Sequence, residues 1–183
     1  ASESEYLVKD GLLSKAWDTL DFVDEHTEWR KLRQKINREM HKRASYIETK
    51  TGVEKGYKSE IIGISLKDDP EKARGKRGKL ILWEEAGKFP GLLKAWQVAR
   101  PSLEQGSHVF GLMIAFGTGG TEGANFEALH ELFYKPKAYN IFDVKNIWDK
   151  GRENTTCGYF IPEYMNREDC YDEQGNSDKR KAL

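Results

Sequence analysis

Lys79-Leu80-Ile81-Leu82-Trp83-Glu84-Glu85-Ala86 is the stretch on which the reading of this chain turns. Three aliphatic residues and a tryptophan follow one another without the polar alternation of a half-exposed strand. Such a run reads as a strand of a parallel sheet, buried on both faces, and here it ends in two adjacent carboxylates. In open α/β sheets, ligands bind beyond the carboxyl ends of the strands, so Glu84 and Glu85 stand where a nucleotide would sit. Neighbouring side chains on a strand point to opposite sides, so the two acids need not share one role. One suits a hydrated magnesium ion, which takes oxygen ligands and keeps several waters. The other suits a group that orients or deprotonates the water attacking a γ-phosphate. The plainer alternative is a strand running out into a polar loop, with Trp83 a wall of the core or of a cleft.

Working outward, residues 110–121 repeat the pattern one strand later, and so beside the first. An apolar strand over 108–116 ends in the small turn Gly117-Thr118-Gly119-Gly120. The Thr118 hydroxyl suits a hydrogen bond to a γ-phosphate or to attacking water, and Gly117 and Gly119 permit close backbone approach. A tight β–α turn, with Thr121 or a neighbour capping the next helix, explains the same residues. Upstream, residues 61–64 read as strand, and Asp69-Pro70 starts a short helical turn that ends near Arg74-Gly75. Arg74, and Lys88 in the loop after the acids, are candidates for phosphate or DNA contact, or else plain solvated surface.

Helical patterns at 91–103 and 123–133 alternate with these strands, which predicts βαβ units and a mostly parallel sheet flanked by helices. Residues 139–144 and 158–161 are weaker strands. Two more, 44–48 and 59–66, are joined by a turn-rich stretch at 51–55. The N-terminal segment is helical: Tyr6, Leu13, Trp17 and Leu20 recur at helical spacing, then Trp29, Leu32, Ile36 and Met40 after a break near 24–26. Thr27 suits the cap of the second helix. The polar positions of that helix carry Arg30, Lys31, Arg33, Lys35, Arg38, Lys42 and Arg43, a solvated face or one turned towards DNA or a partner.

Composition narrows the classes. Lys plus Arg and Asp plus Glu are both 30 in 183 residues, so no overall field draws the chain to nucleic acid or membrane. Five tryptophans, eight tyrosines and eight phenylalanines argue against a disordered polyampholyte. The two cysteines, Cys157 and Cys170, form no CxxC pair, which speaks against a zinc site or disulfide scaffold and suits a reducing cytosol. No signal peptide is visible, and no apolar run approaches the ~20 residues of a membrane span. A soluble, intracellular protein is expected.

The order of segments resembles a known family. Gly-Tyr-Lys-Ser-Glu-Ile-Ile-Gly at 56–63, then Asp69-Pro70, Arg74-Gly75, the strand 80–85 and the turn 115–120 together resemble the large subunit of tailed-phage terminases, which package double-stranded DNA into proheads. The resemblance covers roughly 56–165. It implies a partial P-loop NTPase-like fold using ATP and Mg2+. Residues 80–85 then look like the Walker B strand, with Glu84 as the magnesium-associated acid and Glu85 as the catalytic glutamate. Gly117-Thr118-Gly119 looks like the coupling motif, which links hydrolysis to movement of the DNA-gripping part. Glu84 departs from the more usual aspartate, and its extra methylene shifts the carboxylate by about one C–C bond. Implied partners are double-stranded DNA, the portal protein, the small terminase subunit and sister motor subunits. The implied location is the host cytoplasm, as packaging machinery absent from the mature virion.

No G-x-x-x-x-G-K-[S/T] occurs, and the glycine-rich 117–123 contains no lysine to bind phosphate. In the family that loop lies upstream and a nuclease domain lies downstream. Residues 1–165 are therefore expected to be the C-terminal part of an ATPase domain, and 166–183 a tail or the start of a linker. The chain alone should bind ATP poorly and hydrolyse it negligibly. Two other functions fit parts of the sequence. Glu48-Thr49-Lys50 has the E-x-K spacing of metal-dependent nucleases, on an expected strand with Asp21 or Asp24 upstream. Lys72, Arg74, Lys76, Arg77 and Lys79, with the basic helix, would suit a non-enzymatic nucleic-acid-binding module whose affinity falls steeply with salt. His26, His41, His108 and His130 show no ligand spacing.

Overall fold

A computed structural model describes residues 11–29, 40–66, 69–88, 91–117 and 124–182. The chain divides into two compact units, Ala1–Leu129 and His130–Leu183.

In the first unit, helix α1 (Leu12–His26) buries Leu13. Thr27 terminates it: the backbone turns extended, and both the amide and the hydroxyl of Thr27 donate to the Val23 carbonyl. Thr27 is thus seen as the C-cap of α1. The second helix and its basic face largely fall at 30–39, outside the described residues. Lys42 and Arg43, expected on that helix, lie instead on strand β1 (His41–Ile47), which pairs antiparallel with β2 (Glu54–Ile62). The β-branched and aromatic residues of 44–47 and the glycine turn at Gly52 (φ 68) favour a hairpin. A bulge between Ala44 and Tyr46 brings Gly56 so close that a Cβ there would sit 3.1 Å from the Ser45 Cα.

Asp69 opens a 3-10 turn at Pro70–Ala73, its carboxylate accepting from the Glu71 amide, as its Asp-Pro start predicts. Strand β3 (Leu80–Trp83), a 3-10 turn (Ala86–Lys88) and helix α2 (Leu92–Ala99) follow, the helix ending in a further 3-10 turn at Arg100–Leu103. Here the core sits. Trp83, Ala86, Leu92, Ala95, Trp96, Ala99 and Leu103 are buried, and the Trp83 and Trp96 rings lie 6.2 Å apart. Gly91 lets α2 approach the Pro70–Ala73 turn, since a Cβ there would stand 2.6 Å from the Pro70 Cγ.

The expected strand at 108–116 is two strands. β4 (Glu104–Gln105) and β5 (His108–Val109) make a tight antiparallel hairpin through Gly106 (φ 62), and only then does β6 (Leu112–Ala115) pair parallel with β3. Gly111 marks the break: a Cβ there would meet the Leu103 side chain at 2.6 Å and the Gly78 carbonyl at 2.9 Å.

Helix α3 (Ala124–Tyr134) contains the boundary between the units. In the second unit a 3-10 turn occupies Pro136–Tyr139, and of the strand expected at 139–144 only Val144 is strand. β7 (Val144–Lys145) pairs antiparallel with β8 (Thr156–Cys157), whereas residues 158–161 form no strand. Residues 166–182 carry a 3-10 turn at Glu168–Cys170, a Tyr171–Ser177 bridge and the short helix α4 (Lys179–Ala182). Cys157 and Cys170 are free thiols, fully buried.

The fold is mixed α/β, with four α-helices and small sheets among the described residues. The mostly parallel sheet reduces to one parallel pair beside three antiparallel two-stranded ladders. Nor is that pair covered on both faces: Leu80, Leu112 and Ile114 are 53, 58 and 42% exposed. A continuous apolar run marks a strand meant to be covered, but it does not specify what covers it.

Candidate functional site

The site is built where β3 and β6 end. Their register runs Leu80↔Leu112 to Trp83↔Ala115, so both strands leave the sheet at the same, carboxyl, end. The ladder continues past the strands, with the Phe116 amide donating to the Trp83 carbonyl and the Ala86 amide to the Phe116 carbonyl, each at 3.0 Å. These bonds bring Glu84 and Glu85 beside Gly117. A Cβ on Gly117 would stand 3.2 Å from the Ala86 nitrogen and 3.4 Å from the Glu85 Cα. A side chain in place of the glycine after β6 would therefore press on the acidic turn after β3.

Glu85 holds a left-handed backbone, φ 50, which a residue with a side chain adopts only when its surroundings impose it. The constraints are visible: Ala86 is tied to Phe116, Ala86 and Gly87 are buried, and the Lys88 amide donates to the Glu85 carbonyl at 2.9 Å. The 3-10 turn then carries Lys88 back over the acid. Its Nζ lies 2.5 Å from the Glu85 Oε2, in a pair whose side chains are 59 and 36% exposed. Glu84 is half-buried at the strand exit. Thr118 and Gly119 lie outside the described residues.

Arg74 belongs to the loop that enters β3 from the other end of the strand. Its guanidinium binds Glu71 at 2.7–2.8 Å, and Lys94 of α2 reaches the same carboxylate at 3.4 Å. The hydrogen bond from Arg74 holds Glu71 below the usual carboxylate range. With Lys72, Lys76, Arg77 and Lys79, Arg74 forms an exposed basic stretch. Arg74 is thus engaged with Glu71, so the sequence-predicted residues divide: Glu85, Gly117 and Lys88 come together, with Glu84 at the strand exit, and Arg74 stands in the entry loop.

Among the described residues no group of three or more His, Cys, Asp or Glu could hold a metal ion.

The E-x-K triplet lies differently from its expectation. Glu48 and Lys50 fall in the hairpin turn beyond β1, not on a strand. The Glu48 carboxylate accepts from Lys55 and from the Thr51 hydroxyl, each at 2.5 Å, and both contacts lower its pKa, Lys55 more strongly.

Two arrangements escaped sequence reading. One is the Glu85–Lys88 pair, whose i,i+3 spacing was visible but whose 3-10 turn was not. The other is the loop between β7 and β8, organised by the fully buried Asn146. Its Nδ2 donates to Asp149 Oδ2 at 3.0 Å and Thr155 Oγ1 at 3.3 Å, and its Oδ1 accepts from the amides of Trp148 and Asp149. Hydrogen bonds from Asn146, then Tyr134, hold Asp149 below the usual aspartate range, while burial pushes the Tyr134 phenol up. The Arg152 guanidinium lies over the Tyr134 ring, 5.0 Å from its centre. The signal in sequence was Asn146-Ile147-Trp148-Asp149, the spacing of an Asx turn.

Compared with protein-family models, curated proteins and solved structures, the chain matches none. No helix among the described residues is long and apolar enough to cross a membrane.

Proposed function

We propose that the chain is part of the ATP-hydrolysing motor of a viral terminase large subunit, within a P-loop NTPase-like domain that packages double-stranded DNA into proheads. The observation that carries this reading is the shared carboxyl end of β3 and β6, with Gly117 against the backbone of Glu85. Two parallel strands delivering a carboxylate pair and a glycine to one edge suit an arrangement in which a γ-phosphate is held and attacked. In this reading Glu85 orients and deprotonates the attacking water, and Glu84 holds the metal's hydration shell. Thr118, between Gly117 and Gly119, hydrogen-bonds the γ-phosphate. Mg2+ supplies charge neutralisation on the phosphates of ATP. The phosphate-gripping lysine comes from outside this sequence, which contains no such loop. Double-stranded DNA, the portal protein, the small terminase subunit and sister motor subunits are the partners, met in the host cytoplasm.

The test is ATP hydrolysis by a protein joining this segment to a phosphate-binding loop. Glu85→Gln should lower kcat by at least about 100-fold with nucleotide binding retained. Hydrolysis undiminished by the substitution would remove the proposal. So would Glu85-dependent ATPase in this chain alone, because it would put the phosphate grip inside the chain.

A second reading, a nucleic-acid-binding module without catalysis, draws on the exposed cations between Lys72 and Lys79. It requires DNA affinity that drops steeply with salt and survives Glu85→Gln.

A further inference from the structure

The Glu85–Lys88 pair joins a fixed backbone to a loose pair of side chains. Glu85 is tied through Ala86 to Phe116 and closely approached by Gly117, contacts that hold its backbone at a left-handed φ of 50. The 3-10 turn that follows returns Lys88 to the carboxylate, with Nζ 2.5 Å from Glu85 Oε2. The side chains are 59 and 36% exposed, and so solvated an ion pair contributes little to stability. It forms readily and parts readily. Lysine is a compact charge on a flexible stem, able to exchange one oxyanion for another without moving the backbone.

From this geometry we infer that Lys88 is a positioning residue that alternates between the Glu85 carboxylate and a phosphate oxygen of a polyphosphate bound at the strand tips. The inference rests on the reading of those tips as a nucleotide edge. With no polyphosphate, the ammonium covers Glu85 and the carboxylate is taken. When a polyphosphate arrives, its greater charge draws the ammonium away, and the uncovered carboxylate accepts a hydrogen bond from water. The acid is thus withheld until there is a phosphate to attack.

The test uses the protein joining this segment to a phosphate-binding loop, with NMR detection of the lysine ammonium groups and inorganic tripolyphosphate as probe, against sulfate at matched ionic strength. The Lys88 ammonium signal, slowed in exchange by its partner, should be lost in Glu85→Gln. Tripolyphosphate should move it in the unsubstituted protein and restore it in Glu85→Gln, and sulfate should do neither. Lys88→Met should weaken tripolyphosphate binding about fivefold, with Lys88→Arg restoring it. A Lys88 signal indifferent to Glu85→Gln overturns the proposal. So does tripolyphosphate that shifts the Glu84, Glu85 and Gly117 amides and leaves Lys88 unmoved, although the nucleotide edge then stands. Tripolyphosphate that shifts nothing at the tips removes the edge and the proposal together.

Discussion

Two places in this molecule set an acid in a turn beside a strand, and they treat it in opposite ways. Asp149 lies in a closed network: Asn146 and Tyr134 bind it, and Asn146 itself is fully buried with its amide oxygen and nitrogen both engaged. Glu85 has a rigid backbone and a half-exposed carboxylate paired with one solvated lysine. The first arrangement fixes a loop and leaves the acid unavailable. The second fixes the place of an acid while keeping the acid exchangeable. Rigidity of backbone with freedom of side chain is what a reacting group needs, and complete satisfaction is what a structural group needs.

The largest effect should come from breaking the closed network. Asn146→Ala removes the buried amide that binds the Asp149 and Thr155 side chains and the Trp148 and Asp149 amides, and should destabilise the second unit by about 3 kcal/mol in denaturant titrations. Glu85→Gln, the matching change at the open site, should cost less than about 1 kcal/mol. Equal losses would erase the distinction. Next is Gly117→Ala, which pushes a methyl against the Ala86 nitrogen and Glu85 backbone and should cost about 1 kcal/mol, with shifted amide resonances at 85 and 86. No shift there would mean that the two turns do not touch.

The smallest effect is one of pH. Asp149 is held below its ordinary value of 3.8, so its contribution is complete above that value and is lost as pH falls through the lower folded one. Asp149→Asn should therefore flatten the acid limb of second-unit stability below about pH 4 and change little of its slope near neutrality. An unchanged acid limb would show that Asp149 is not held as described.

The parts of this fold legible in sequence were those with local causes. The run Leu80-Ile81-Leu82-Trp83 had to be a strand, Asp69-Pro70 had to open a short turn, and 124–134 kept a helical period. What failed depended on distant contacts. Phe110-Gly111 looked like the middle of one apolar strand, because nothing local shows that Gly78 and Leu103 crowd Gly111 and break it. Lys42 and Arg43 continued a helical pattern, yet they pair across a hairpin with Ile61 and Glu60. At the site, the meeting of Glu84, Glu85 and Gly117 followed from strand order. The partner of Glu85 and its left-handed backbone did not, since both arise from a three-residue turn whose hydrogen bonds have no period to read.

The positions of the two thiols have a practical consequence. Cys157 and Cys170 are the chain's only sulfhydryl groups, both belong to the second unit, and neither meets solvent. An alkylating reagent therefore acts as a clock on whatever opening lets these two thiols meet solvent. Native protein, unlabelled and unmutated, already carries its own reporter of that opening.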